Sequence, residues 1–489
     1  MIQDNSAINQ FIKNKKVLLV GLGILGGSGL SSALWLLKYK AKLTITDSKP
    51  KKDLEPSLKQ LKEYSSKIKF VLGKHCQKDF LNNDIIVVNP AVPTTNLKLP
   101  VAKYLSKARK QKKIIENDIS LLLKSIQNPI IGITGTRGKT TTTNWIGYLL
   151  KAKYPRVFIG GNMPDSPALS FFNKIHEKSP VVLEISCFQL ELLQKQSPHI
   201  AVITNFYQDH LNRYQTMKKY ARIKANIFLR QKTDDYLILN YDNSWTKYFL
   251  SLKPKAQVYF TSQKKLPKKL NGVFQDDSKI YFQNQGKKFF IFDAASFLKT
   301  WGKHNLENLL RAILVAELLD LNVKQIKKQI ATLPQIKMRQ EIVFQNDHLT
   351  VINDSAGTSP EAAITALNRW AQNKNLILIT GGTDKNLDFQ PLAKSIKEKL
   401  SPNHLVCLNG SATQKLIEEL NKIHYAKTYN VFESLKECLT YSLFLAKNKK
   451  KAIIVFSPAA ASFEKFKNEF DRGEKFNQIV KTLVIKKPR

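Results

Sequence analysis

The sequence predicts an α/β protein of about three domains, each built on a mainly parallel sheet. Its 489 residues suggest this number, because an average domain has roughly 150 residues. Short apolar runs alternate with helical patterns along the whole chain, which is typical of layered α/β domains. The hydrophobic fraction of 43% is enough for substantial cores.

The first block, residues 1–118, has the pattern of a Rossmann-like domain. A strand at 17–20 leads into a glycine turn, a second strand at 42–46 ends beside Asp47, and an apolar run at 84–89 ends at a proline. Asp47 lies about 20 residues beyond the glycines, where such folds place an acidic residue against a ribose. The spacing GLGILGG matches GxGxxG only in part. A contact to ribose or uracil and a plain strand-end turn therefore both stay open.

The segment 17–37 carries no charged residue and follows Lys15 and Lys16. It is long enough to span a bilayer and loosely resembles a signal peptide. Its small residues favour a buried strand and a tight turn that opens a helix, so we predict no membrane insertion. The segment holds three serines and five glycines, namely Gly21, Gly23, Gly26, Gly27 and Gly29.

The formal net charge of +40, from 78 basic and 38 acidic residues, favours anionic partners in general. The lysines are spread along the chain, however, and no nucleic-acid-binding motif accompanies them. We therefore predict lysine-rich solvated faces and no nucleic-acid partner. The scattered cysteines form no CxxC pair, which excludes a zinc or redox signature and predicts reduced thiols in a cytoplasmic protein; they are Cys76, Cys187, Cys407 and Cys438.

The second block, residues 119–335, opens with a strand at 130–133, a GxxGxxGKT loop and a helix start. Small residues let successive backbone N–H groups face phosphates, and the helix N-terminus adds its positive end. Lys139 can reach the β- and γ-phosphates, and the Thr140 hydroxyl can join a Mg²⁺ shell. A kinase, GTPase, helicase or ligase all stay open at this point. We expect nucleotide contacts from Gly135, Thr136, Arg137, Gly138, Lys139, Thr140 and Thr141.

The third block, residues 336–489, repeats the alternation of strands and helical patterns. Its apolar runs predict a doubly wound, Rossmann-like C-terminal domain behind the central P-loop ATPase-like domain. The expected strands lie at 349–353, 376–380, 404–408 and 453–457.

An ordered set of segments resembles the Mur ligase family of ATP-dependent amide-bond ligases. After the loop GTRGKTT come LEISCFQLE at 183–191, TNFYQDHLNRY at 204–214, GKHNLEN at 302–308 and NDSAGT at 353–358. The sequence of residues 183–191 resembles that of the family member that adds D-glutamate to UDP-N-acetylmuramoyl-L-alanine. The resemblance extends from about residue 17 to residue 480. Another Mur-type ligase, a folylpolyglutamate-type ligase and a nucleic-acid-binding P-loop NTPase remain as alternatives.

The resemblance implies a catalytic group formed by Lys139, Glu184, His210 and Lys224. Thr140 and Glu184 would hold one Mg²⁺, and His210 and a carbamylated Lys224 would hold a second. An ammonium group beside Mg²⁺ would be repelled, whereas a carbamate supplies two oxygens and negative charge. ATP would convert a substrate carboxylate into an acyl-phosphate.

The resemblance also implies contacts to each substrate and a monomeric enzyme. Further ATP contacts are expected from Asn305, Arg339 and Asp354. The UDP-sugar is expected to meet Gly23, Asp47, Ser48, Gly161, Asn162 and Ser186. D-glutamate, a dicarboxylate that needs both a cation and hydrogen-bond donors, is expected to meet Thr358, Lys385, Ser462 and Phe463.

Several positions depart from the family pattern, including the order Glu469-Phe470, where Phe-Glu is common. Arg137 stands where an asparagine is frequent, Asn212 replaces an aspartate, and Cys187 replaces a serine. Ala356 replaces the lysine of a common NDSKAT segment, which removes one cation near the new bond. The ATP chemistry is left intact by these changes, while the identity of the acceptor amino acid depends on them.

Overall fold

The computed structural model describes residues 6–24, 27–193 and 195–485. Leu25 and Gly26 of the glycine turn lie outside the described residues. The chain divides into two compact units. Unit 1 comprises Met1–Trp301 and Asn305–Leu333, and unit 2 comprises Gly302–His304 and Pro334–Arg489. The domain bounds after residues 118 and 335 stay predictions.

The first sheet of unit 1 has five parallel strands in the order β3-β2-β1-β4-β5. The central strands carry apolar side chains that are buried on both faces of the sheet, as is usual for a parallel sheet flanked by helices. Its strands are β1 (Lys16–Val20), β2 (Lys42–Asp47), β3 (Ile68–Leu72), β4 (Ile85–Val88) and β5 (Ile114–Glu116). The helices are α1 (Ser6–Ile12), α2 (Ser28–Lys38), α3 (Glu55–Gln60), α4 (Gln77–Asn82), α5 (Pro100–Lys110) and α6 (Asp118–Ser125).

The second sheet of unit 1 has nine strands in the order β14-β13-β12-β11-β10-β9-β6-β8-β7. The strands are β6 (Ile130–Thr134), β7 (Phe158–Gly161), β8 (Val181–Glu184), β9 (Ile200–Ile203), β10 (Tyr236–Asn240), β11 (Gln257–Ser262), β12 (Gly272–Asp276), β13 (Lys279–Asn284) and β14 (Lys287–Asp293). The helices are α7 (Lys139–Leu150), α8 (Cys187–Leu190), α9 (Leu211–Tyr214), α10 (Met217–Ala225), α11 (Thr246–Ser251), α12 (Ala295–Trp301), α13 (Lys303–Leu318) and α14 (Val323–Ala331). Because β6 pairs in parallel with β8 and β9, the carboxyl ends of these three strands meet at one edge.

An antiparallel extension at β12–β14 was not foreseen from the sequence. Two tight turns create it, with left-handed backbone at Asp277 (φ 54°), Gln285 (φ 48°) and Gly286 (φ 77°). The remaining pairs of the nine-stranded sheet are parallel, as predicted.

The two sheets of unit 1 belong to one continuous core. Trp35 and Tyr39 of α2 pack edge-on against Phe172, with ring centroids 5.6 and 5.9 Å apart. The Tyr39 hydroxyl also donates to Asn173 Oδ1 at 3.3 Å. The described residues of the uncharged segment 17–37 form most of β1, part of the glycine turn and most of α2. No helix in the described part of the chain is long and apolar enough to cross a membrane.

Unit 2 is built on a six-stranded sheet in the order β15-β16-β20-β17-β18-β19. Only β15 runs antiparallel to its neighbour. The four predicted strands are confirmed to within one residue at each end. The strands are β15 (Glu341–Gln345), β16 (Leu349–Asn353), β17 (Leu376–Thr380), β18 (Leu405–Leu408), β19 (Asn430–Phe432) and β20 (Ala452–Phe456). The helices are α15 (Pro360–Trp370), α16 (Gln390–Lys399), α17 (Ser411–Lys422), α18 (Leu435–Ala446) and α19 (Glu469–Val480).

Candidate active site

The phosphate loop lies between β6 and α7, at the carboxyl edge of the nine-stranded sheet. Gly138 is the N-cap of α7 and has left-handed backbone (φ 79°), and Gly135 has φ 145°. A side chain at Gly135 would collide with the Thr204 hydroxyl, and one at Gly138 would collide with the Asn308 amide. Glycine is therefore required at both positions by conformation and by space.

Glu184 ends β8 next to the phosphate loop and is buried. Its Oε2 accepts a hydrogen bond from the Thr140 hydroxyl at 2.7 Å, and its Oε1 accepts one from the Asn162 amide at 3.2 Å. The backbone N–H of Asn162 also donates to the Glu184 carbonyl at 2.8 Å. A carboxylate and a hydroxyl, both oxygen donors, therefore stand together at the start of α7.

Lys224 lies on α10 with only 1% of its surface exposed. Its Nζ donates to the Gly135 carbonyl at 2.8 Å and lies 4.8 Å from the Tyr220 ring centroid. Burial, together with the positive charge of Lys139, lowers the pKa of Lys224 to about 8. An ammonium group this deeply buried is disfavoured relative to the neutral amine.

Lys139 contacts the same carbonyl as Lys224. Its Nζ donates to Gly135 O at 3.2 Å and to Thr136 O at 3.1 Å. Two lysine side chains therefore converge on the phosphate loop. This convergence gives the loop a strong local preference for anions.

His210 precedes α9 and has left-handed backbone with φ 53°. Its Nε2 lies 3.5 Å from Asp209 Oδ2, and its ring packs edge-on against Phe188 and Tyr220 at 4.9 and 5.9 Å. Tyr220 is the ring that Lys224 overlies. The structure thus brings the four predicted catalytic residues into one connected cluster.

The nucleotide side of the loop is held by two asparagines. Asn205 Oδ1 accepts from the Arg137 N–H at 2.9 Å. Asn308 Oδ1 accepts from the Thr142 hydroxyl at 3.1 Å, and Asn308 Nδ2 donates to Asn305 Oδ1 at 3.1 Å. The predicted Asn305 is therefore linked to the phosphate-loop helix through Asn308.

Arg137, which departs from the family pattern, stacks on an aromatic ring. Its guanidinium lies 5.4 Å from the ring centroid of the exposed Tyr207. The Thr136 hydroxyl accepts from the Tyr207 N–H at 3.0 Å. Thr141, in the first turn of α7, was also predicted to contact the nucleotide, and its side chain is buried.

The predicted sugar residues fall into two groups in unit 1. Asp47 is buried beneath the first glycine turn, where its Oδ2 accepts from the N–H groups of Leu22 and Gly23 at 2.8 and 3.3 Å. Its Oδ1 accepts from the Lys49 N–H at 2.9 Å, and Ser48 is exposed beside it. Asp47 therefore stabilises the turn itself, which is a role that the sequence did not reveal.

The second sugar group lies beside Glu184. Gly161 has φ 106°, and a side chain there would collide with the Glu184 carbonyl. Ser186 caps α8, and its hydroxyl is hydrogen-bonded to the Gln189 side chain at 3.1 Å. Gly161, Asn162 and Ser186 are thus adjacent to the candidate catalytic cluster.

Unit 2 contains the remaining predicted nucleotide residues. Asp354 is buried. Its carboxylate accepts hydrogen bonds from the Ser457 hydroxyl at 2.7 Å and from the Gln340 N–H at 3.1 Å. Burial raises the pKa of Asp354 to about 6. Arg339 Nη1 donates to the Ala356 carbonyl at 2.8 Å, so these residues of unit 2 form one local group.

The predicted amino-acid residues also lie in unit 2. Lys385 Nζ donates to the Thr358 hydroxyl at 3.3 Å. The Ser462 hydroxyl is buried and has no hydrogen-bond partner among the described residues. Phe463 next to it exposes 66% of its surface. A cation and an unused hydroxyl are features that a carboxylate ligand requires.

One buried cluster in unit 1 was not predicted to have a role. Glu191 ends the LEISCFQLE segment, and Arg213 and Tyr214 end TNFYQDHLNRY, so the motifs themselves pointed to these three residues. Thr94 carried no sequence signal. All four side chains meet at the Glu191 carboxylate.

Comparisons with known proteins agree with this geometry. Three family models match the chain: the Mur ligase MurD-like N-terminal domain at residues 15–108, the Mur ligase middle domain at 133–316 and the Mur ligase glutamate ligase domain at 338–460. The chain is 37% identical to the UDP-N-acetylmuramoylalanine--D-glutamate ligase of Borreliella afzelii, over 96% of this chain and 99% of that protein. The chain belongs to the Mur ligase family. The protein of the same name from Clostridioides difficile is 34% identical to this Mur ligase over 96% of this chain and 99% of that protein.

Solved structures share the fold of this Mur ligase. The UDP-N-acetylmuramate-alanine ligase MurC from Thermotoga maritima superposes with a TM-score of 0.58 at 19% identity, covering 96% of this chain and 100% of that chain. The MurF ligase from Thermotoga maritima in complex with ADP gives 0.55 at 15% identity, covering 97% of each chain. The predicted family and the three-domain α/β architecture are therefore confirmed, and as a Mur ligase the chain is an ATP-dependent ligase.

Proposed function

We propose that this Mur ligase joins D-glutamate to the L-alanyl carboxylate of UDP-N-acetylmuramoyl-L-alanine, a cytoplasmic step of peptidoglycan biosynthesis. The observation that carries the proposal is the meeting of Lys139, Lys224 and the Thr140–Glu184 pair at the phosphate loop. The names of the relatives in Borreliella afzelii and Clostridioides difficile support the choice of substrates.

The first chemical step activates the carboxylate. A carboxylate is a poor acylating agent at neutral pH, so a leaving group must be supplied. One alanyl oxygen attacks the γ-phosphorus of ATP, the bond from that phosphorus to the β–γ bridging oxygen breaks, and ADP leaves with the electron pair. Lys139 lies in the loop that faces the phosphates, where its charge stabilises the transferring group.

The second step forms the amide bond. The amine nitrogen of D-glutamate attacks the acyl carbon, and a tetrahedral intermediate forms. The carbon–oxygen bond to phosphate then breaks, phosphate leaves with the electron pair, and the nitrogen loses a proton. Exclusion of water protects the acyl-phosphate from hydrolysis before the amine arrives.

The side chains near the loop fit Mg²⁺, which prefers oxygen ligands and shares them with ATP. Within residues 6–24, 27–193 and 195–485, no group of three or more His, Cys, Asp or Glu is arranged to hold a metal, which agrees with a cation that relies on substrate oxygens. We assign one Mg²⁺ to Thr140 and Glu184, and a second to His210 and carbamylated Lys224. Bound Mg²⁺ supplies positive charge to the phosphates.

Carbamylation of Lys224 is supported by its surroundings. The lowered pKa of about 8 increases the fraction of neutral amine that can attack CO₂. The attack forms an Nζ–carbon bond, releases one proton and leaves a carbamate anion. The change also removes the repulsion between two cations at the Gly135 carbonyl.

Substrate contacts follow the same reasoning. We assign the phosphates and the adenosine of ATP to residues 135–141 with Asn305, Arg339 and Asp354. The UDP-sugar is assigned to Gly23, Asp47, Ser48, Gly161, Asn162 and Ser186. D-glutamate is assigned to Lys385, Thr358, Ser462 and Phe463 of unit 2.

The proposal also covers the setting in which the enzyme works. All four cysteines are free thiols, which suits a reducing cytoplasm. We propose a monomer that needs no nucleic acid. The alternative function, a nucleic-acid-dependent NTPase, requires that phosphate release increases when DNA or RNA is added.

The test measures phosphate release with UDP-N-acetylmuramoyl-L-alanine, ATP and a panel of amino acids, together with mass analysis of the product. We expect release and amide product with D-glutamate. Turnover only with L-alanine or with a diamino acid would refute the substrate assignment, and stimulation by nucleic acid alone would favour the rival function.

A further inference from the structure

Glu191 is a buried carboxylate whose oxygens are both fully used. Its side chain is 1% exposed. Oε1 accepts from Arg213 Nε and from the Tyr214 hydroxyl, both at 2.7 Å. Oε2 accepts from Arg213 Nη2 at 2.7 Å and from the Thr94 hydroxyl. Each oxygen therefore binds one nitrogen of the guanidinium and one hydroxyl.

One side of this cluster faces the first glycine turn. Thr94 and Val92 belong to the segment between β4 and α5, and Arg213 Nη2 donates to the Val92 carbonyl at 3.2 Å. A Cβ on Gly21 would lie 2.9 Å from Val92 Cγ2, so Val92 already packs against that turn. The Glu191 cluster thus fixes the segment that supports the turn above Asp47.

The other side of the cluster faces the catalytic group. Arg213 and Tyr214 close α9, the short helix that begins after His210. The Tyr214 ring stacks on Tyr220 at 5.4 Å, and Tyr220 lies beneath Lys224. The Arg213 guanidinium lies 4.4 Å from the Phe188 ring centroid, and Phe188 packs on His210.

The energetics point to a positional role. Removal of two charges from water is costly, and a buried ion pair is often no more stabilising than apolar side chains of similar volume. A carboxylate with four donors, by contrast, fixes the geometry of every group that contacts it. The cluster joins segments that are far apart in sequence, since Thr94 and Glu191 are separated by 97 positions.

We propose that Glu191 is a positioning residue. It holds the segment of Val92 and Thr94, beside the first glycine turn, in a fixed position relative to the catalytic residues His210 and Lys224. Thr94 links Glu191 to the sugar side, and Tyr214 links it to the side of His210. The inference rests on the proposed function, because this fixed position matters only if a sugar-borne carboxylate must reach the ATP phosphates.

Two isosteric substitutions in the 489-residue enzyme test separately the hydrogen bond of Glu191 to Thr94 and its hydrogen bond to Tyr214. Thr94→Val removes one donor on the sugar side. We expect it to raise KM for UDP-N-acetylmuramoyl-L-alanine about tenfold and to leave kcat and the KM for ATP within about twofold. Tyr214→Phe removes one donor on the catalytic side, and we expect it to lower kcat about tenfold with little change in the sugar KM.

Glu191→Gln should change both parameters, and it also lowers the thermal midpoint because the Arg213 charge loses its partner. Thr233→Val and Glu398→Gln, at exposed positions, serve as matched controls with wild-type kinetics. If Glu191→Gln fails to fold, the two isosteric variants carry the test.

The outcomes are distinguishable. A wild-type enzyme that forms no amide refutes the proposed function. A working wild type whose Thr94→Val variant loses thermal stability at unchanged sugar KM refutes the positioning role alone. Identical kinetic changes in Thr94→Val and Tyr214→Phe would also refute it, because the two hydrogen bonds would not act separately.

Discussion

Unit 1 contains two glycine turns that each precede a helix and differ in the charges beside them. The turn after β1 ends at Gly27 with φ 76°, and the turn after β6 ends at Gly138 with φ 79°, and each glycine is the N-cap of the following helix. In the first turn, two backbone N–H groups donate to the Asp47 carboxylate. In the second, the side chains of Lys139 and Lys224 converge on a backbone carbonyl.

We infer from this difference that the two turns bind different ligands. A carboxylate beneath the first turn already occupies donors that a phosphate would use and adds negative charge there. Hydroxyl and amide groups suit such a turn, as in ribose or uracil recognition. The second turn adds the cation of Lys139 to its helix N-terminus and therefore suits a triphosphate. We therefore propose that the backbone of each turn positions its ligand, and that the charged side chains, Asp47 at the first turn and Lys139 at the second, determine which ligand binds.

The largest effect is expected where the second turn loses its cation. Lys139→Ala should lower kcat by about 10²–10³-fold, because charge stabilisation of the transferring phosphoryl group is lost. We assign only part of the UDP-sugar contacts, at Gly23, Asp47 and Ser48, to the first turn, and Lys139 to none of them, so the UDP-sugar affinity should stay near the wild-type value in calorimetric titration. Lys151→Ala, at the exposed C-cap of the same helix, is the control. Weaker sugar binding in Lys139→Ala would show that the two turns are not independent.

Lys224→Ala should also abolish most turnover, by about 10²-fold or more, since the carbamate would be lost. Short carboxylates such as formate or acetate should restore part of the rate by supplying the missing oxygens. Steady-state phosphate release with and without the added acid measures this rescue. Lys219→Ala on the exposed face of α10 is the control, and an undiminished Lys224→Ala enzyme would rule out the carbamate.

The two N-cap glycines should respond differently to alanine. A Cβ on Gly27 meets no described atom within 4 Å, so Gly27→Ala carries only the strain of an extended backbone with positive φ, about 1–3 kcal/mol. Gly138→Ala must also displace Asn308. We expect only Gly138→Ala to raise the KM for ATP, by about tenfold. Equal ATP KM values in both variants would remove the distinction between the turns.

The smallest effect concerns pH at the first turn. His75 Nδ1 lies 2.9 Å from the Thr46 hydroxyl, and burial lowers the pKa of His75 despite the opposing charge of Asp47. The unfolded chain therefore binds more protons than the folded one below about pH 6.5, so stability falls as the pH drops through that range. Thermal unfolding between pH 7 and 5 should show a shallower loss for His75→Gln than for wild type. The exposed His348→Gln should follow wild type.

Local features of the fold could be read from the sequence. Apolar runs such as VLLV and IIGI are long enough to be buried on both faces. A strand occurs at each of the eight predicted positions, which are 17–20, 42–46, 84–89, 130–133, 349–353, 376–380, 404–408 and 453–457. The strand-end position of Glu184 beside the phosphate loop was predicted from the resemblance of 183–191 to a segment of the family. These features depend on residues that are close together along the chain.

Non-local and conformational features could not be read in this way. The Thr94–Glu191 contact spans 97 positions, and no local pattern encodes it. The left-handed backbone of His210 and the burial of Asp47 beneath its own turn arise from packing. The hairpin at β12–β14 did have turn signals at 276–278 and 284–286, which were overshadowed by the parallel pattern around them.

The most direct test of the account follows an oxygen atom from the substrate. UDP-N-acetylmuramoyl-L-alanine labelled with ¹⁸O in its alanyl carboxylate is turned over with ATP and D-glutamate, and the phosphate is analysed by mass. An acyl-phosphate mechanism predicts one ¹⁸O atom in the phosphate for each amide bond formed, because the carboxylate oxygen leaves with the phosphoryl group. Amide product accompanied by unlabelled phosphate would contradict an acyl-phosphate and the catalytic roles built on it.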